Sequence, residues 1–382
     1  MLIRRSPVAF VALSLLFAAG CGASLESAPT SAPTTSTSFS SIVAPAPKPV
    51  AAPAVCDQLR TAATGTTVTV PAGDWIIGDC VVSGTGRAGV RVVAVNAAMS
   101  SGGVPSATKW SRLIGSLRCN DCDRWTFDGL AVEGDGSGTA DPVFVVSMNG
   151  GEGWRWSRCD ISNGVAPDGT RYGVRGVFNT YGPVKDWQLD ACRVHDNGNT
   201  RPEVPDNNFD HLVYVNGADV DSNGRIGPNN SFFGNASGAA VKVGYGLDGA
   251  APVGIRGVRV DGNAFRANSS PDGICGVLVA GASADTVVTR NRIDCAGGID
   301  ERTASAVALR SWPGGTRVTV TDNRITGTRN AGNVTKCGAF DAGAYDRSIS
   351  VRVFGLETWA QVAPSSCAWW GITASGNVAT PT

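Results

Sequence analysis

The amino-acid sequence predicts an all-β solenoid, and three observations predict it. From Trp125 onward one motif recurs: "WTFDGLAVEG", "WRWSRCDISNG", "WQLDACRVHDNG", "GRIGPNNSFFGN", "VRVDGNAFRAN", "VVTRNRIDCAG", "VTVTDNRITGT" and "ITASGNVAT" align on Leu130, Cys159, Cys192, Asn230, Asn263, Asn291, Asn323 and Asn377. A period of roughly thirty residues with Gly and Asn at its turns marks a stack of equivalent supersecondary units. Each repeat also carries a second short β-branched strand: "PVFVVS", "YGVRGVFN", "DHLVYVNG", "GAAVKVG", "CGVLVAG" or "SAVALRS". No helical period of useful length occurs beyond "DQLRTAA" at residues 57–63. The long interval between Asn323 and Asn377 has room for one further rung near "SISVRVFG", giving about eight or nine rungs.

The chain starts with an export signal. Arg4 and Arg5 precede the apolar run "PVAFVALSLLFAA", which ends in small residues. A charged start, a short apolar stretch and a cleavage site are read as a secretory signal, too short to remain as a spanning helix. The signal is assigned to residues 1–20. Its end, Ala18-Ala19-Gly20-Cys21, resembles the lipobox of bacterial lipoproteins. That resemblance implies lipid modification of Cys21 and a cell-envelope location, with membrane contact through the N-terminal lipid only. An ordinary secretory signal and a secreted chain are the alternative. Residues 21–55 are dominated by Ser, Thr, Pro and Ala and bury too little apolar surface to offset chain entropy, so they are read as a tether. The folded domain is assigned to residues 56–382.

Without Cys21, ten of the eleven cysteines remain, an even number in an exported chain. Spacing pairs Cys56 with Cys80, Cys119 with Cys122, Cys159 with Cys192, Cys275 with Cys295, and Cys337 with Cys367. The alternative for "CNDC", half a zinc site, needs a second Cys or His pair nearby, and none is present in sequence. The charge is balanced, with 32 basic and 32 acidic residues. No basic stripe points to nucleic acid.

These features together resemble the pectate-lyase superfamily. The opening "VCDQLRTAATGTTVTVPAGDW" looks like that family's short capping helix and first strand, and the Asn column looks like its internal amide ladder. The resemblance covers about residues 56–378 and implies a right-handed parallel β-helix with a short N-terminal capping helix. It specifies the fold far more than the function, because such scaffolds host lyases, hydrolases, epimerases and adhesins.

On that fold one stretch becomes a candidate site. If Val213 and Val215 of "DHLVYVNG" point inward, alternation sends Leu212, Tyr214 and Asn216 outward. The next rung then places Lys242 beside Tyr214 on an exposed face, followed in the same column by Leu278 and Ala308, with Arg310 two residues further along. Upstream, Phe178 is the candidate for that column, although "GVRGVFN" fits two registers. His211 sits where turn becomes strand, beside Asp210, which could fix its tautomer. The insertion "HDNGNTRPEVPDNNFD" adds His195, Asp196, Arg201, Glu203 and Asp206, so both histidines are expected to converge there.

The superfamily's lyases abstract a proton beside a uronate carboxylate. By resemblance Lys242 would be base or neutraliser, and Tyr214 or His211, supported by Asp210, the proton-transfer partner. Arg201 or Arg175 would clamp the carboxylate, and His195, Asn216 and Arg310 would contact substrate. A hydrolase ranks lower because the strand faces offer few outward carboxylates. Separately, Asp219, Asp221, Asn223 and Gly224 of "DVDSNGRIGPNN" match the start of a calcium loop, with Asn230 where a glutamate is usual. Calcium is the one cofactor suggested; an Asx-rich turn without metal is the alternative. The resemblance therefore implies a polysaccharide-directed, lyase-like or epimerase-like protein, with a non-catalytic glycan-binding module, adhesin or structural envelope lipoprotein as the alternative.

Overall fold

Period-two alternation gives each short strand one inward and one outward set of side chains, and a strand of three to six residues buries its inward set only if equivalent strands stack above and below. The computed structural model shows that stack. It describes residues 53–106, 109–134, 144–162, 176–197, 211–216, 220–235, 238–244, 255–268, 274–281, 283–296, 305–311, 317–327, 351–354 and 372–380. The named strands pair in parallel and wind as a parallel β-helix with three faces, the fold class expected from the sequence.

The first face is a ten-stranded sheet running from Thr67–Val70 to Ile372–Ser375. The second and third faces join through the long strands Gly73–Ser83 and Ser111–Asn120. The latter pairs with Ala131–Glu133 along its first half and with Phe144–Asn149 along its second. Ten rungs result, the tenth contributing only to the first two faces among the described residues. The expected eight or nine fell short because the strands Thr67–Val70 and Arg91–Ala94 precede the first recognisable repeat. The strand Val351–Phe354 is not an extra rung: Asn323 and Asn377 lie on successive rungs, and this strand closes the ninth by pairing with Ser305–Ser311.

The core fills the prism. On the first face Val68, Val92, Phe127, Trp156, Leu189 and Ile226 stack inward in register and are buried. Phe127 and Trp156 stack at 4.2 Å, and Trp154 and Trp187 at 5.0 Å. Trp125, Trp154, Trp156 and Trp187 are therefore core residues. Removing such side chains from water contributes about 1.5–3 kcal/mol each. The helix Pro53–Thr61 caps this core with Val55, Cys56 and Leu59, tied to the first rung by the Cys56–Cys80 disulfide.

The asparagine column forms the expected ladder. The Asn263 N–H donates to Asn291 Oδ1 at 3.0 Å, while Asn291 Nδ2 donates to the Val260 carbonyl at 3.0 Å and, on the next rung, to Asn323 Oδ1. Each amide satisfies turn groups that water cannot reach. Asn291→Ala is expected to lower unfolding free energy by about 2 kcal/mol or more, since each buried orphan costs about 1–3 kcal/mol. Urea unfolding measures it, and a loss below about 0.5 kcal/mol, the range of ordinary surface changes, would deny the ladder its energetic role. A second ladder, Asn197, Asn235 and Asn268, runs at the next corner and was not anticipated.

Three disulfides match the expected pairs: Cys56–Cys80, Cys119–Cys122 and Cys275–Cys295. Cys159 and Cys192 are not paired, which corrects the expectation from spacing. They occupy the amide column on successive rungs, and Cys192 Sγ accepts the Cys159 N–H at 3.2 Å much as Asn230 Oδ1 accepts the Cys192 N–H at 2.8 Å. Their thiols serve the ladder. Burial also pushes the Cys192 thiol well above its ordinary pKa. Alkylation without reductant should therefore leave both thiols unlabelled in the native protein and label both after denaturation, read by peptide mapping. A peptide cross-linking Cys159 to Cys192 would contradict the ladder assignment. Cys21, Cys337 and Cys367 lie outside the described residues.

Candidate functional site

Outward positions of the third face form a column across successive rungs: Arg118, Ser147, Asn179, Tyr214, Lys242, Leu278 and Ala308. Tyr214 and Lys242 pair as expected, and Leu278 and Ala308 follow. Asn179 holds the place expected for Phe178, which instead pairs with Val213 and joins the core.

The expected exposure is overturned. Ser147, Asn179, Tyr214 and Lys242 are 7, 5, 5 and 2 % exposed, and His211 is 1 % exposed. Leu212 joins the main core, and Leu278 and Ala308 form a separate apolar cluster with Ala239, Ile274 and Ala280. Alternation fixes only which side of the strand a residue leaves. It does not fix whether that side meets water, and this face is covered.

Within that layer the ionisable groups are in contact. Lys242 Nζ lies 4.7 Å from the centre of the Tyr214 ring, a cation–π geometry that strengthens as water is excluded. The His211 ring meets Tyr214 edge-on at 5.4 Å, and its Nδ1 donates to the Ala239 carbonyl at 3.0 Å, which sets the tautomer of the neutral ring. Phe144 flanks Tyr214 at 6.5 Å. Gly176 permits this approach, because a Cβ there would stand 2.4 Å from the Phe144 ring. Upstream the layer continues as a polar chain in which Ser147 Oγ donates to Asn149 Oδ1 at 2.7 Å and Asn149 Nδ2 to Asn120 Oδ1 at 3.0 Å.

The two histidines do not converge as expected. His195 belongs to the second face, where its ring stacks on Phe233 at 4.6 Å and lies between two carboxylates: Nε2 is 2.9 Å from Asp160 and Nδ1 2.8 Å from Asp196. Arg193 approaches Asp160 at 3.2 Å. Burial, the largest single influence, disfavours the charged ring, but the two carboxylates outweigh it and raise the His195 pKa above its ordinary value. Asp160 was missed in the sequence, where it stands 35 residues from His195.

Asn216 is buried and donates its N–H to Thr180. Arg310 occupies a strand position paired with Ala280. Asp210, Arg201, Arg175 and Asp219 lie outside the described residues. Of the calcium-loop candidates, Asp221 is exposed and faces Arg256 at 3.8 Å, while Asn223 Nδ2 donates to Asp186 at 3.1 Å. Asn230 spends its amide in the ladder, accepting from Cys192 and donating to Leu189. Among the described residues no group of three or more His, Cys, Asp or Glu side chains is arranged to hold a metal ion.

No family model and no curated protein matches the chain. Solved structures do. A PL6 alginate lyase complexed with a trisaccharide aligns at 13 % identity and a TM-score of 0.42, over 87 % of this chain and 83 % of that one. The A-module of the Azotobacter vinelandii mannuronan C-5 epimerase AlgE4 aligns at 13 % identity and 0.39, over 86 % and 93 %. A tailspike protein of an E. coli bacteriophage aligns at 12 % identity and 0.37, over 84 % of this chain and 59 % of that one.

Proposed function

We propose that the protein is an exported β-helix protein, lipid-anchored through Cys21, that acts on an acidic polysaccharide at the third face by proton transfer beside a uronate carboxylate. The observation that carries this reading is a contrast within one column. Leu278 and Ala308 show that this buried layer is satisfied by apolar side chains, yet the two preceding rungs bring Tyr214 and Lys242 into it, with His211 against them. Burying an ammonium group is costly, and ionisable groups gathered where packing does not require them mark sites. Lys242 supplies positive charge for the substrate carboxylate, or takes the proton itself. Tyr214 and His211 exchange the proton at the reacting carbon or at the leaving oxygen, with Asp210 supporting His211 and Arg201 or Arg175 clamping the carboxylate. In the lyase outcome the carbon–hydrogen bond adjacent to the carboxylate and the neighbouring glycosidic bond both break, leaving an unsaturated sugar. In the epimerase outcome the proton returns from the opposite side.

The burial of His211, Tyr214 and Lys242 favours a second reading, an inert structural layer in an adhesin or envelope lipoprotein. The test is incubation with a panel of uronic-acid polymers, following unsaturated-product absorbance and solvent-proton exchange at the carbon beside the carboxylate. Tyr214→Phe keeps the ring under Lys242 and removes only the hydroxyl. It is expected to lower turnover about 10²-fold, the low end for a proton-transfer group, at an unchanged melting temperature. Neither signal from any polymer would favour the structural layer.

A further inference from the structure

On the first face the outward side chains include a column of Arg91, Thr126, Arg155, Gln188, Arg225 and Arg259 on successive rungs. Beside it Asp128 and Ser157 stand in the neighbouring outward column. Thr126 is short, and the long arginines one rung above and one below it leave a recess of about 250 Å³ between Arg91, Thr126, Arg155, Arg158, Asp128 and Ser157. Rungs repeat at about 4.8 Å, so Arg91 and Arg155 spring from positions about 10 Å apart with a hydroxyl between them.

The charges are unevenly matched. Asp190 holds Arg155 by two hydrogen bonds of 2.8 Å, and Asp128 holds Arg158 through two of its nitrogens. Both guanidinium planes are thereby fixed. Arg91 is exposed and has no acidic partner among the described residues, so the positive charge left over is its own. A recess with one uncompensated guanidinium, two hydroxyls and a carboxylate suits a ligand with one carboxylate and several hydroxyls. A phosphate-dense chain would set negative charge against Asp128.

We propose that this recess is a second binding site, separate from the third face, for a carboxylated sugar unit of an acidic polysaccharide: Arg91 takes the carboxylate, and Thr126, Ser157 and Asp128 take hydroxyls. The choice of a sugar rests on the polysaccharide reading above. A polymer held here raises its own local concentration at the third face, as linked binding events do.

Affinity electrophoresis of the full chain through gels containing alginate, polygalacturonate or dextran tests the site, with turnover measured on the same samples. Retention is expected in at least one acidic gel, weakening with added salt, and not in dextran. Arg91→Glu should reduce apparent affinity at least tenfold while leaving the melting curve and turnover of short oligomers unchanged. Arg324→Glu, the same charge change on an exposed second-face residue, should leave retention intact. Equal retention of Arg91→Glu and the unaltered protein would overturn the site, as would retention by dextran or equally effective competition from duplex DNA. Arg91-dependent retention without turnover would sink only the third-face proposal; turnover with retention indifferent to Arg91 would sink only this one.

Discussion

Replacing Lys242 by Met is expected to reduce turnover of an acidic polysaccharide by about 10³-fold or more while the protein still unfolds in a cooperative melt above the assay temperature. The two halves of this outcome have different causes. Lys242 is 2 % exposed, on the outward side of its strand, with its ammonium 4.7 Å from the Tyr214 ring. Methionine has similar length and no charge, so it refills the volume without a cavity. Loss of a group that neutralises a carboxylate or moves a proton reaches the upper part of the usual 10² to 10⁴ range. Product absorbance and a thermal melt on one preparation measure both. An undiminished rate would remove Lys242 from the chemistry, and a collapsed melt would identify it as a structural tie.

The register of this site was legible because alternation and the one-motif-per-rung spacing are both local patterns. Tyr214 opposite Lys242 followed directly. Phe178 and Asn179 were not separable, since "GVRGVFN" has small or β-branched residues in both registers and only the neighbouring rungs decide between them. The covered face was hidden for a different reason: alternation assigns a residue to one side of its strand and carries no information about what lies against that side. Leu278 and Ala308 carried the one available signal, because two outward apolar residues in a column imply that something excludes water there. Cys159 and Cys192 carried a similar signal, standing in the amide column where a side chain is needed to accept a backbone N–H. Asp160 could have been found by the same alignment, which sets "CDISNG" above "CRVHDNG" and so brings Asp160 beside Arg193 and one diagonal step from His195.

That diagonal contact gives the largest expected effect on stability. Asp160→Asn is expected to lower unfolding free energy by about 3 kcal/mol at pH 5.5, because it takes one partner from a buried charged cluster, a change that typically costs about 3–5 kcal/mol. Both His195 nitrogens face carboxylate oxygens, at 2.9 Å from Asp160 and 2.8 Å from Asp196, an arrangement that only the doubly protonated ring fully satisfies. Arg193 at 3.2 Å and Arg266 over the far side of Phe233 are the nearby cations and leave that preference in place. The sign follows from the raised pKa. The stabilisation is fully present below the unfolded value of about 6.5 and is lost as pH rises through the higher folded value. The unaltered protein should therefore lose stability between pH 5.5 and pH 9, whereas Asp160→Asn should lose less, and the difference between them should narrow. Urea unfolding at the two pH values measures it. A penalty of the same size at both would assign the loss to Arg193 alone and make His195 a neutral ring stacked on Phe233.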